Sequence, residues 1–125
     1  MSKQELPLVG TSGCCTPLAA APVGEQAAVE LARGFKALGD PVRLRLLSLI
    51  ASFPGGEACV CDLTDAFALT GPTISHHLRV LRESGLVTSE RRGTWVYYAA
   101  VPERLAALSA LLQVPAETRQ VLAPA

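Results

Sequence analysis

The stretch from Thr70 to Gly85, TGPTISHHLRVLRESG, constrains the fold more than any other part of the chain. Ile74, Leu78 and Leu81 are spaced by four and three, which places them on one face of a helix. Thr70 is suited to cap that helix, and Pro72 falls in its first turn, where a missing N–H costs nothing. Gly85 stops it. A helix is therefore predicted over 71–84. Just before it, residues 62–68, DLTDAFA, predict a short helix whose first-turn acidic residues suit the helix dipole. Leu69-Thr70-Gly71 is the turn between them. Two helices across so short a turn form a helix-turn-helix.

The rest of the chain can be read outward from that pair. Residues 86–91 and 94–100 are rich in β-branched and aromatic side chains, and Arg92-Gly93 between them predicts a tight hairpin turn. A hairpin directly after a helix-turn-helix makes a winged helix. Upstream, residues 25–38 carry Ala28, Leu31, Phe35 and Leu38 at helical spacing. Gly39-Asp40-Pro41 then breaks the chain, with Asp40 as cap and Pro41 at the first position of the next helix, 41–53. That helix is apolar over too wide an arc for one stripe and is expected to be central and buried, with Arg43 and Arg45 pointing outward. Pro54-Gly55-Gly56 ends it.

Near the C-terminus, residues 103–113 place Leu105, Leu108, Leu111 and Leu112 on a helix. Such a helix either dimerises or caps its own core. The division expected is a mobile arm over 1–24, broken by Pro7, Gly10, Gly13, Pro17, Pro22 and Gly24, one domain over 25–113, and a frayed tail over 114–125. The expected fold class is mostly α with a β-hairpin, a homodimeric winged helix-turn-helix.

The 125 residues balance 11 acidic against 11 basic side chains. Net charge therefore does not announce a nucleic-acid partner. Between Thr73 and Tyr98, however, Arg79, Arg82, Arg91 and Arg92 outnumber Glu83 and Glu90. The second helix of a helix-turn-helix lies in the major groove of DNA with its N-terminal residues on base edges. Here the residues placed to touch DNA are Thr70, Pro72, Thr73, Ser75, His76 and Arg79. The hydroxyls can bond bases or phosphates, and Arg79 can fork onto guanine or hold a phosphate. His76 and His77 diverge on a helix, so one should face DNA and the other the domain. Arg91 and Arg92 at the hairpin tip fit a phosphate or the minor groove. So few cations imply a symmetric dimer, which doubles the phosphate contacts and presents two reading helices about 34–36 Å apart to double-stranded operator DNA.

No apolar run approaches the roughly 20 residues of a membrane span. The N-terminus lacks a charged region followed by an apolar one, so no signal peptide and a cytoplasmic location are expected. Thiols stay reduced there, and the four cysteines then read as ligands, redox groups or core residues. Cys59-Val60-Cys61 places both thiols on one side if the backbone is extended, and the helix that follows is expected to lower a thiol pKa. Cys14-Cys15 sit on the arm, which can reach that pair in its own subunit or across a dimer. A soft site of this kind selects thiophilic ions. Arsenite and antimonite favour three sulfurs; cadmium, lead and zinc use three or four, so the count leaves the ion open. Disulfide-based redox sensing competes with all of them. With no general base near the thiols and no nucleotide-binding loop, an enzyme is not expected.

Four segments carry a resemblance: FKALGDPVRLRLLSLI (35–50), ACVCDLTDAF (58–67), TGPTISHHLRVLRESGLV (70–87) and RRGTWVYYA (91–99). In order and content they resemble the ArsR/SmtB family of metal-responsive bacterial repressors, most of all its arsenical-resistance members. The resemblance spans roughly residues 25–113. It implies a winged-helix homodimer joined through its N- and C-terminal helices. It also implies operator binding that needs no cofactor and is lost when an ion binds. One family site is the C-V-C-D motif, here Cys59 and Cys61. Thr64 stands where arsenite-sensing relatives often have a third cysteine, and Cys14 and Cys15 are placed to complete the site as arm cysteines do in other relatives. The family's zinc site on the C-terminal helix has no counterpart, since 103–113 holds neither Asp nor His. The resemblance thus implies Cys14, Cys15, Cys59 and Cys61 as ligands for As(III) or Sb(III), with Cd(II), Pb(II) or Zn(II) as the alternative.

Overall fold

A computed structural model describes residues 16–114. They fall into two compact units: Arg33–Pro102, and the flanking segments 16–32 and 103–114. Helix α1 (Glu25–Leu38) begins in the flanking unit and ends in the central one. The central unit continues with α2 (Pro41–Ser52), a 3₁₀ turn (Pro54–Gly56), strand β1 (Glu57–Cys59), α3 (Val60–Ala66), α4 (Gly71–Glu83), β2 (Val87–Arg92) and β3 (Trp95–Ala100). Helix α5 (Pro102–Leu111) follows. The expected winged helix-turn-helix is present, with α4 as the second helix of the motif and β2–β3 as the wing.

Each start and stop has a local cause. The Asp40 carboxylate accepts the backbone N–H groups of Val42 at 2.8 Å and Arg43 at 3.2 Å, and Pro41 follows it. Thr70 Oγ1 accepts the N–H of Thr73 at 3.4 Å at the start of α4. At its end Gly85 adopts φ 83°, a left-handed conformation that favours glycine. There the N–H of Leu86 bonds the Leu81 carbonyl and that of Gly85 bonds the Arg82 carbonyl, which closes a Schellman motif.

The core of the central unit joins Leu46 and Ile50 of α2, Leu63 of α3, and Ile74, Leu78 and Leu81 of α4, all with no exposed surface. Leu86, Val87 and Tyr98 close it from the sheet side. Burying each such aliphatic side chain contributes roughly 1.5–3 kcal/mol, so this face, more than helix propensity, holds α4 in place.

The sheet is antiparallel in the order β1-β3-β2. Strand β1 lies outside the elements expected from sequence and forms because β3 has a second edge to pair. The wing pairs Arg92 with Trp95, so its loop is Gly93-Thr94, one residue later than expected. Gly93, at φ 66°, supplies the left-handed first position of that two-residue loop.

Of the two arginines expected to point outward, Arg45 does and Arg43 does not. Arg43 is half-buried and turned inward, its Nε donating to the Ala37 carbonyl at 2.7 Å. Arg45 is exposed, but its guanidinium lies 4.7 Å from the Phe67 ring centroid. On α1 the buried positions are Gly34 and Ala37, while Leu31, Phe35 and Leu38 are half-covered and Ala28 is exposed. In the flanking unit the Leu18 N–H donates to the Leu111 carbonyl, and Arg104 faces Glu30 at 3.6 Å. Leu18, Val29 and Leu112 stay 49, 56 and 58% exposed.

Candidate nucleic-acid interface and thiol site

Because Ile74, Leu78 and Leu81 face inward, the other side of α4 is presented outward. Thr70, Pro72, Ser75, His76 and Arg79 are exposed, and Thr73 is half-exposed. Thr70 and Thr73 are also tied to each other, hydroxyl to hydroxyl at 2.9 Å, so the cap and the first reading position are pre-ordered together. The two histidines part: His77 Nδ1 accepts from an Arg43 Nη at 3.2 Å, while His76 is exposed.

On the wing, Arg91 is exposed and has no ion-pair partner among the described residues. Arg92 is engaged. Its Nη2 lies 2.7 Å from Glu57 and 2.9 Å from Glu90, Nη1 reaches the second Glu57 oxygen at 3.3 Å, and the guanidinium stacks 4.5 Å from the Tyr97 ring centroid. These carboxylates push its pKa further up. Arg92 thus fastens the wing to β1 in this conformation. Its neighbour Arg91 offers the uncommitted charge.

The thiols lie at the junction of β1 and α3. Helix α3 starts at Val60, two residues earlier than expected, because Cys59 itself is the cap. Cys59 Sγ accepts the N–H of Cys61 at 3.3 Å, and the Asp62 carboxylate accepts the N–H of Cys59 at 3.3 Å. The backbone is extended at Cys59, as expected, but already helical from Val60, so the cap at the helix start brings the two cysteines together. Cys59 Sγ, Cys61 Sγ and an Asp62 carboxylate oxygen all lie within 4.8 Å of one another. Cys59 is buried and Cys61 half-buried, and neither forms a disulfide.

The expected fall in thiol pKa is reversed at Cys61. Its hydrogen bond with the Cys59 side chain pushes its pKa up, and burial and the negative charge of Cys59 and Asp62 add to that. Thr64 turns away to donate to the Val60 carbonyl at 2.7 Å. Asp62 joins the thiols as an oxygen ligand that the cysteine spacing alone does not reveal; its place three residues after the cap is the signal for it. Cys14 and Cys15 lie outside the described residues.

A helix-turn-helix with a wing and an outward polar helix face defines the class: a winged-helix transcription regulator. Comparison with known proteins narrows it. The family signature described as bacterial regulatory protein, arsR family, matches residues 40–89. The chain is 45% identical over 80 residues to the arsenic resistance transcriptional regulator ArsR2 of Pseudomonas putida, covering 64% of this chain and 68% of that one. It is 51% identical over 69 residues to ArsR1 of the same organism, covering 55% of this chain and about half, 52%, of the relative. The crystal structure of a possible transcriptional regulator for arsenical resistance superposes with a TM-score of 0.60 at 36% identity, over 74% of this chain and 96% of that chain. The chain belongs to the ArsR family of DNA-binding transcriptional regulators, and it is not an enzyme. No described helix is long and apolar enough to cross a membrane.

Proposed function

We propose that this protein is a cytoplasmic repressor that binds operator DNA as a homodimer and lets go when a thiophilic metalloid, As(III) or Sb(III), binds its cysteines. The observation that carries the reading is the convergence of Cys59, Cys61 and Asp62 at the start of α3, the helix just before the reading helix. Cys14 and Cys15, from the arm over 1–24, supply the further thiols. In As(OH)₃ each sulfur replaces one hydroxide, which leaves as water with the thiol proton. Thr70, Pro72, Thr73, Ser75, His76 and Arg79 meet the major groove, and Arg91 meets the backbone from the wing, with Arg92 joining it only on leaving Glu57 and Glu90. The half-exposed apolar residues Leu18, Val29 and Leu112 suit the face that a second copy covers.

The cap explains how the ion acts. Cys59 Sγ and the Asp62 carboxylate, which hold the start of α3, are also the atoms that would bind an ion. Coordination therefore competes with the cap and shifts α3 against α4. Coupling of this kind is reciprocal and amounts to roughly a 5–150-fold change in affinity. Asp62 also supports a second reading. An oxygen donor beside two sulfurs suits Cd(II), Pb(II) or Zn(II).

The test is anisotropy of a labelled duplex from upstream of the protein's own gene, bound by reduced protein and titrated with each ion. Arsenite should release it at low stoichiometry, and Cys59→Ser/Cys61→Ser should bind DNA but not release it. Release by cadmium or lead alone moves the ligand to the second reading. Unchanged release from the double variant removes the site assignment, and release by peroxide alone makes the thiols a redox switch.

A further inference from the structure

Beside α4, on the flank turned toward the end of α1, runs an open groove of about 540 Å³. Its wall holds the cations Arg33, Lys36 and Arg43 against one carboxylate, Glu83, with His76 and Ser84 between them. None of the three cations has an ion-pair partner among the described residues. Arg43 is the informative one. It is half-buried, and its Nε and one Nη are spent on the Ala37 carbonyl and His77 Nδ1. Its other Nη has no acceptor among the described residues. Arg43 also lies near enough to the Asp40 carboxylate to lower its pKa, but its unspent donors, beside the exposed Arg33 and Lys36, remain open to an anion in the groove.

We propose that this groove is a phosphate-group site and that its occupant is a phosphodiester of the DNA backbone running along the flank of α4. This rests on the DNA-binding reading above and adds contacts, from Arg33, Lys36 and Arg43, that lie outside the helix-turn-helix and the wing. Two observations favour the polymer as the source of the phosphate. His76 belongs both to the groove and to the exposed face of α4, so a strand lying against that face passes the mouth of the groove. The groove is open, and a single free anion in it would be screened by salt. A phosphodiester is held there by every other contact of the same duplex and releases condensed counter-ions on binding. The site also answers the charge problem of a chain with no net positive charge. The needed cations come from α1 and α2 as well as from the motif itself.

Phosphate contacts are independent of sequence, so the test uses a duplex of arbitrary sequence and the whole protein. The slope of log Kobs against log salt is measured for wild type and for Arg33→Gln/Lys36→Gln, which changes two exposed helix positions and leaves the inward-turned Arg43 alone. A slope shallower by about 2 to 4 per dimer, at about 0.9 per lost phosphate contact, supports the proposal. Glu83→Gln should shift affinity the opposite way. An unchanged slope in a double variant that still binds overturns the groove as a DNA contact. A parallel amide NMR titration with inorganic phosphate separates the sources. If free phosphate shifts the groove amides of wild type but not of the double variant, while both share one DNA slope, the groove holds a small anion and the backbone assignment falls. If wild type binds no duplex at any salt, the DNA reading under Proposed function fails, and this proposal with it.

Discussion

The two helices of the helix-turn-helix begin in parallel ways and are held very differently. Helix α4 starts on the hydroxyl of Thr70 and is anchored along its length by three buried residues, Ile74, Leu78 and Leu81. Helix α3 starts on the thiol of Cys59, closes its cap with Asp62, and buries Leu63 alone. One cap is chemically inert; the other is made of atoms that bind metals and oxidise. The contrast separates two duties. On the proposed reading, the helix that meets DNA has to keep its shape whatever the solution contains, and the helix that binds the ion has to give way when that ligand appears. Low local stability is a requirement for an element that moves.

The most forceful way to break this contrast is to attack the anchor of α4. Leu78→Ala removes a side chain with no exposed surface. It should cost roughly 2–5 kcal/mol in equilibrium denaturation. A loss well below that range would mean that α4 is held by something other than its buried row. The caps sharpen the contrast further. Thr70→Ala should cost about 1 kcal/mol and leave ion-induced release intact. Cys59→Ser should fold at least as well as Thr70→Ala, because a serine hydroxyl also caps, yet lose the response to ions. Denaturation curves and DNA release measured on both variants check this. If Thr70→Ala also loses the response, the two starts are one device and the separation of duties is wrong.

How much of this is legible in the sequence differs between the same two helices. For α4, every signal is local: a three-and-four spacing, a threonine cap, a proline in the first turn and a glycine after the end. The start of α3 lies two residues before the one the sequence predicts, because cysteine is not among the usual capping residues. Once Cys59 is taken as the cap, the place of Asp62 three residues on is the local sign that it reaches back to the Cys59 N–H. Strand β1 is three residues long, too short for an alternating pattern, and it exists only because β3 pairs with it from a distance in sequence. The one-residue slip of the wing loop has the same origin, since Arg92 is drawn into the strand pair by Glu57, Glu90 and Tyr97. Arg43 reads as an exposed helix residue until the Ala37 carbonyl and His77 are brought beside it. The thiol pair itself was visible, but the direction of the Cys61 shift depended on how closely Cys59 and Asp62 crowd it.

A third start extends the comparison and gives its smallest test. Helix α2 begins on a carboxylate alone, that of Asp40, so acid tests its cap without touching a thiol. The backbone N–H of Arg43, with that of Val42 and the nearby Arg43 guanidinium, holds its pKa below the ordinary 3.8. A carboxylate whose pKa is lower folded than unfolded binds fewer protons in the native state, so its stabilisation is complete above the unfolded value. That stabilisation fades as pH falls from there through the folded value, and below both it is gone. Asparagine caps about as well as aspartate and does not titrate. Asp40→Asn should therefore match wild type near neutrality and lose less stability than wild type on acidification below about pH 4. Thermal unfolding of both proteins across that window measures the difference. Parallel loss in the two would mean that the Asp40 charge is not what the start of α2 rests on, and that carboxylate, thiol and hydroxyl serve these helices as equivalent acceptors.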